Sequence, residues 1–297
     1  MDRGKEAGVI TVAIPTYNRG AIVAETIRRL FALDPPPDAI IVADQSRERN
    51  ESLERWHGEG RIQLIRLDAP SIPGAMNLAL LAAATPVVLY LDDDVEPSPG
   101  LIAAHERAHE SAETWAVVGQ ILQPGEEPRH FDQPEDDLEF HFSHDSGRFV
   151  ANVMAGNLSV KRDRAIAVGG FDENFVGAGY RFETDFALRI AAAGGKIWFA
   201  PDATLRHLKL SSGGLRSFGD HRSSPSPAHS VGDYYFAIHH RPPLGRYALR
   251  RLRRNVATRY HLRHPWTIPA KLIGELRGMM LARRLARSGR RLIRGPK

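Results

Sequence analysis

The sequence predicts an α/β protein built on a mostly parallel sheet flanked by helices, followed by a basic helical extension. Three observations carry this. Short apolar runs bounded by turn residues occur at Val9–Ile14, Ala39–Ala43 and Pro86–Leu91, the pattern of strands buried on both faces. Between them lie stretches with helical character, and strands alternating with helices argue for a parallel sheet. Finally, the charge changes sign near residue 240. Residues 1–240 hold 23 Lys/Arg against 34 Asp/Glu, a net −11, whereas residues 241–297 hold 17 Lys/Arg and only Glu275, a net +16.

Taken in order, Ala21–Leu33 is rich in Ala, Ile and Leu and stops before Pro35-Pro36-Pro37, so it reads as the first helix. Arg61–Leu67 alternates in part and adds a strand, and Ile72–Ala84 is a second helix. Pro124–Gly147, acidic and aromatic without periodicity, reads as a long mobile loop, and order returns with Asn152–Val160. Arg181–Ala193 is a helix closed by Gly194-Gly195, Lys196–Ala200 is a strand, and Ser211–Ser230 is a flexible Ser/Gly/Pro segment. After Pro242-Pro243, Leu244, Ala248, Leu252, Val256 and Tyr260 form one helical stripe among arginines; Ile268, Leu272, Leu276, Met279 and Met280 begin another. The expected division is a body, 1–240, and a basic amphipathic extension, 241–297. On this division, a chain ending at Pro242 keeps its donor site.

Several function classes are excluded by composition. With no cysteine there are no disulfides, thiolate metal sites or cysteine nucleophiles, which fits a reducing cytoplasm. The apolar run at Val9–Ile14 is too short for a signal peptide's core. The longest apolar stretch, Leu78–Leu91, is broken by Thr85-Pro86 and falls short of a membrane span.

In open parallel sheets, ligands bind beyond the carboxyl ends of the strands. Pro15-Thr16-Tyr17-Asn18-Arg19, Asp44 and Asp92-Asp93-Asp94 all sit at such ends, so the fold should bring them together. Three adjacent carboxylates repel one another unless a cation offsets the charge. Hard oxygen ligands suit Mg2+ or Mn2+, which in turn neutralise a diphosphate. On an extended chain Asp92 and Asp94 share a face while Asp93 does not, and Asp94 is the expected metal ligand.

The motifs "IPTYNR" (14–19), "IIVADQS" (40–46), "PGAMNLAL" (73–80), "LYLDDDV" (89–95), "AGNLSVKR" (155–162), "GGFDENF" (169–175), "ETDFALR" (183–189) and "HLKLSSGG" (207–214) stand in the order found in glycosyltransferase family 2. The chain resembles that family over residues 9 to about 240. The resemblance implies a GT-A, Rossmann-like fold and metal-dependent inverting transfer of a sugar from a nucleotide diphosphate to an acceptor hydroxyl. Polysaccharide, glycolipid or cell-surface glycan synthesis would be the setting. It also implies that Pro15, Thr16 and Asp44 hold the nucleoside and Asp92 the ribose, with Asn18, Arg19, Asn77 and Asp93 in the same donor site. Met76 stands where the family commonly has arginine.

Glu183 and Asp185 lie about 200° apart around a helix, so they cannot both address one substrate atom. One can act as general base while the other pairs with Arg189 or Arg181. By the resemblance, the base falls on Glu183; Phe182 replaces the first carboxylate of the family's pair, and Glu replaces the usual Asp. His207 is implied as a diphosphate or metal contact. Gly213 and Gly214 would offer backbone N–H groups to phosphate beside Arg216, and Gly156 and Asn157 would line the sugar or acceptor pocket.

Two other classes compete. A nucleotidyltransferase wants a Gly-rich basic loop after the first strand, and "PTYNRG" supplies one Arg and one Gly. A nucleic-acid binder is suggested by the arginine tail, but that tail has few aromatics on which to stack bases, so no nucleic acid is expected. The expected partners are a nucleotide diphosphate sugar, a saccharide or lipid-linked acceptor, and an anionic membrane surface met by residues 241–297. The expected location is cytoplasmic, with peripheral docking at the inner face of the cell membrane.

Overall fold

The computed structural model describes residues 9–130, 132, 134, 137–208, 219–241 and 243–294. Its centre is a sheet with nine strands: β1 (Ile10–Thr16), β2 (Ala39–Asp44), β3 (Gln63–Arg66), β4 (Val87–Leu91), β5 (Val95–Pro97), β6 (Thr114–Leu122), β7 (Arg148–Phe149), β8 (Asn157–Lys161) and β9 (Lys196–His207). Their order is β3-β2-β1-β4-β8-β6-β9-β5, with β7 also on β9. The first four strands pair in parallel, whereas β8 enters antiparallel to both β4 and β6. The sheet is therefore mixed. β1 and β4 are almost wholly buried because helices cover both faces, which is why they read as unbroken apolar runs.

Helices α1 (Gly20–Phe31), α2 (Glu51–Gly58) and α3 (Ile72–Ala82) connect these strands. In α1, Val23, Ala24, Ile27 and Leu30 recur at helical spacing and are buried, while Arg28 and Arg29 favour the negative end of its dipole. The short α2 has only Leu53 and Trp56 buried, too few to show a period; Asn50 caps it by accepting from the N–H groups of Ser52 and Leu53. Ser71 caps α3 through the Gly74 N–H at 3.1 Å.

Helices α4 (Leu101–Ala108), α5 (Arg162–Ala167), α6 (Phe182–Ala192) and α7 (Val231–His240) complete the body, and α8 (Leu244–Asn255), α9 (Arg259–Arg263) and α10 (Ile268–Arg287) form the extension. One expectation changes. The segment expected as a mobile loop, 124–147, instead buries Phe140, Phe142 and His144, with Phe140 edge-on to Phe199 and Ile121 N–H bonded to Phe142 O at 2.8 Å. Its aromatics have no period because they fill one gap rather than line a helix. On α10, Leu272, Leu276 and Met280 are exposed and Met279 is half-buried, while Lys271, Gly274, Glu275, Gly278 and Ala282 are buried. Small residues win the inner face because α10 approaches backbone closely. A Cβ at Gly274 would lie 2.8 Å from Ser224 O.

The extension packs on the body. Arg251 is buried between Asp233 and Glu275, and its guanidinium also donates to His229 O. Lys271 pairs with Glu275 at 2.9 Å. Farther on, Arg290 reaches Asp185 at 2.6 Å and Asp172 at 3.4 Å, and the Ile293 N–H donates to Gly169 O.

Candidate active site

Parallel register sets the ends of the first strands side by side: Thr16 pairs with Asp44, and β4 runs alongside β1 on the other side. The acidic triplet follows the end of β4 in a bend, and its carboxylates divide. Asp93 turns inward, where it accepts from Thr16 Oγ1 at 2.7 Å, while its carbonyl accepts from Thr26. Burial pushes its carboxyl up to about 7, against the opposing effects of the Thr16 hydrogen bond and Arg19. Asp93 thus braces the strand end, with Arg19 3.8 Å from it, and Asp92 and Asp94 meet His207.

His207 reaches these two because β5 pairs antiparallel with β9, placing His207 opposite Val95. Its Nε2 lies 3.1 Å from Asp94 Oδ1 and 3.8 Å from Asp92 Oδ2. The Asp94 partner, first through hydrogen bonding, raises the His207 pKa. One ligand atom from each of Asp92, Asp94 and His207 lies within 4.8 Å of the others. Two carboxylates and an imidazole at that spacing fit Mn2+ or Mg2+. Arg19 supports the cluster, with Nη1 3.1 Å from Asp94.

Glu183 joins this cluster through a two-residue segment before β8. The Ala155 N–H donates to Glu183 Oε1 at 2.6 Å. Gly156 lies against Asp92; its carbonyl accepts from the Asp92 N–H at 3.4 Å, and a Cβ there would sit 2.5 Å from Asp92 Oδ2, so a side chain would push the carboxylate aside. Burial pushes the Glu183 carboxyl up to about 7, with the Ala155 N–H opposing and Asp92 adding to the rise. Glu183 and Asn152 also line a cavity of about 420 Å3. A carboxyl with that pKa beside an open cavity suits proton transfer near neutrality.

A second cavity, about 420 Å3, opens at the ends of β1 and β2 and is lined by Thr16, Asn18, Asp44, Ser46, Asn50 and Leu53. Asn18 holds a left-handed backbone, φ 54°, and donates its N–H to Ser46 Oγ. Asp44 accepts from the Ser46 N–H at 2.8 Å and from Arg66 at 2.7 Å. Pro15 lies one residue back in β1, opposite Ala43 and half-buried.

Other candidates stand apart from these cavities. Asn77 clamps Phe171, donating to its carbonyl and accepting from its N–H, both at 2.8 Å. Asn157 is buried, bonding His105 and the carbonyls of Gln120 and Ala203. Asp185 faces the opposite side from Glu183 and is held by Arg189, His240 and Arg290, which keep its carboxyl well below the usual range despite burial. All three side chains are thus engaged within the protein in this structure. Gly213, Gly214 and Arg216 lie outside the described residues.

Sequence reasoning missed Ala155, which acts through its backbone N–H and is silent in sequence. It also missed Arg251, Arg254 and Lys271 in the wall of the Glu183 cavity, and named Arg181 there only as a partner for a carboxylate. Their arginine-rich surroundings gave no signal that distinguished them from solvated charge.

The pattern described as Glycosyl transferase family 2 matches residues 11–183, from β1 through Glu183. The chain belongs to glycosyl transferase family 2. The family's description agrees with the sugar-transfer expectation rather than with the nucleotidyltransferase or nucleic-acid ones. It is 30% identical over 134 residues to the galactofuranosyltransferase GlfT2 of Mycobacterium tuberculosis, covering 41% of this chain and 21% of that protein. The chain thus spans about a fifth of that relative's length. Among solved structures it resembles the mannosyltransferase PcManGT of Pyrobaculum calidifontis in complex with GDP-Man and Mn2+. That match has TM-score 0.57 and 19% identity over 96% of this chain and 80% of that one. It also resembles GalNAc-T7 with UDP, GalNAc and Mn2+, at TM-score 0.57 and 14% identity over 81% and 52%. The family 2 chain has the GT-A fold with a helical C-terminal segment. Among the described residues, no helix is long and apolar enough to cross a membrane.

Proposed function

We propose that this glycosyltransferase moves a sugar from a nucleoside diphosphate to an acceptor hydroxyl by direct, inverting displacement, in the assembly of a polysaccharide, glycolipid or other cell-surface glycan. The observation that carries the reading is the Ala155–Gly156 segment, which touches Glu183 with one residue and Asp92 with the next. On this reading it sets a proton acceptor beside the Asp92–Asp94–His207 cluster. Asp92, Asp94 and His207 would hold Mn2+ or Mg2+, and such a cation neutralises the diphosphate leaving group. Glu183 takes the acceptor's proton during attack, its carboxylate aimed by the Ala155 N–H. Thr16, Asn18 and Asp44 line the space for the nucleoside. The Mn2+ and nucleotide named with the two similar structures support this arrangement.

Titration calorimetry on EDTA-treated protein tests the cluster. Nucleoside diphosphate affinity is expected to need added Mn2+ and to fall by roughly tenfold or more in Asp94→Ala, a loss that even outer partners of a metal can produce. Equal affinity with and without the cation would remove Asp94 from the site.

We further propose that the extension docks on anionic lipid. Leu262, Trp266, Leu272, Leu276 and Met280 are exposed on a segment of net charge +16. Apolar side chains facing outward among arginines suit the interface of a charged bilayer, where each arginine contributes roughly 1 kcal/mol. The protein is expected to sediment with anionic liposomes at low salt and to be released at high salt. Leu276→Ser with Met280→Ser should weaken the association; unchanged sedimentation would show that this face is not the docking surface.

A further inference from the structure

The Glu183 cavity continues into a second one of about 510 Å3, the two sharing Leu138, Glu139, Arg181, Arg251 and Arg254. Together they form a groove whose charge changes along its length. Near Glu183 the cations are already matched. Arg181 pairs with Glu139 and Asp233, Arg251 with Asp233 and Glu275, and Lys271 with Glu275. The apolar side chains of Leu138, Phe140, Val153 and Met154 also line this end.

The far end differs. Arg241, Arg250 and Arg254 line it and are exposed. Arg241 and Arg250 make no ion pair with any described residue, and Arg254 approaches Glu139 only at 4.0 Å. The acidic residues lining this end are Asp137 and Glu139. Asp137 accepts from the Glu139 N–H, and Glu139 is engaged by Arg181. Arg181 and Arg251 have carboxylate partners of their own, whereas Arg241, Arg250 and Arg254 are not held by a close partner.

We infer that the acceptor is an anionic molecule: its hydroxyl end lies beside Glu183, and a phosphate-type group farther along is held by Arg241, Arg250 and Arg254. This rests on the reading of Glu183 as the general base. Guanidinium groups pair phosphate oxygens bidentately, and a groove open at the far end leaves room for whatever the phosphate is attached to. The extension then forms half of the acceptor site, since Arg250, Arg251 and Arg254 all belong to α8.

Two probes distinguish the sources of such a group: inorganic phosphate, and decyl phosphate kept below its micelle concentration. Binding is measured on EDTA-treated full chain, wild type, Arg250→Gln/Arg254→Gln and Asp94→Ala. Both replaced arginines are exposed, so the double variant should fold and keep Mn2+-dependent nucleoside diphosphate affinity. The expected result is binding of at least one probe that weakens about tenfold in the double variant and is unchanged in Asp94→Ala. Tighter binding of decyl phosphate supports a lipid phosphate in the groove, and equal binding supports a free one. The inference is overturned if neither probe binds, if the double variant binds both as well as wild type, or if only Asp94→Ala loses them. Failure of the general-base reading would appear elsewhere, as full transfer activity in Glu183→Gln.

Discussion

Replacing Glu183 by Gln is expected to lower sugar transfer by about 10²-fold or more while leaving donor binding close to wild type. The amide oxygen can still accept from the Ala155 N–H, which Glu183 Oε1 does now at 2.6 Å, so the local geometry survives. What disappears is a group able to take a proton. The wild-type rate should also fall as pH drops through about 7, because burial raises the Glu183 pKa to that value and only the ionised form can accept the proton. Stability should move the other way. A carboxyl whose folded pKa is raised above its unfolded value holds its proton more tightly in the folded state, so its contribution falls as pH rises from about 4.5 to about 7. The Gln variant, which has no such titration, should gain stability relative to wild type across that window. A pH–rate profile and melting curves at several pH values test both statements. Retained activity in Glu183→Gln with complete loss in Asp185→Asn would transfer the role of base to Asp185.

Removing the extension should have the largest structural effect. A chain ending at Pro242 loses Arg251, which is buried against Asp233, and Arg290, which pairs with Asp185 and Asp172. Breaking one buried ion pair by removing a partner costs about 3–5 kcal/mol. Cutting here breaks pairs to three buried carboxylates and uncovers the face of α7 on which α10 rests. Whole domains are stable by only about 5–15 kcal/mol. The packing therefore predicts that this truncation does not reach a native fold, whereas composition predicts a separable tail. Circular dichroism and thermal melting of the truncated chain decide between them. Arg251→Ala is the smaller test, with an expected loss of about 3–5 kcal/mol from the same cause. A truncated chain with a cooperative transition near that of the full protein would mean that the extension only rests on the body.

Much of the site could be read before any coordinates. The runs that became β1, β2 and β4 are apolar because helices cover both faces, and the polar residues that follow must emerge at the same edge in a parallel arrangement. Thr16, Asp44 and Asp92–Asp94 were therefore placed together by period and by chain direction alone.

Other parts depended on partners distant in the chain. Nothing local to His207 says that β9 pairs antiparallel with β5, yet that register sets it beside Asp94. Asn77, Asn157 and Asp185 are polar residues in motifs that resemble a donor or catalytic site, and only their partners show them holding Phe171, His105 and Arg290.

The extension shows the contrast most plainly. Its sequence determined that residues 241–297 are basic and that helices form within them, at Leu244–Asn255 and Ile268–Arg287, since both follow from residue type and spacing. The tertiary structure decided which face turns inward. The apolar stripe of α10 would be buried if hydrophobic area alone ruled, but the surface it meets is a backbone turn that admits only small residues, with Tyr234 and Arg251 gathered on Glu275. Close approach and charge pairing fixed the orientation, and Leu272, Leu276 and Met280 were left facing outward. Period identifies a helix because it depends on neighbours a few residues away. What a face meets depends on atoms brought in from the rest of the chain, and no local pattern encodes it.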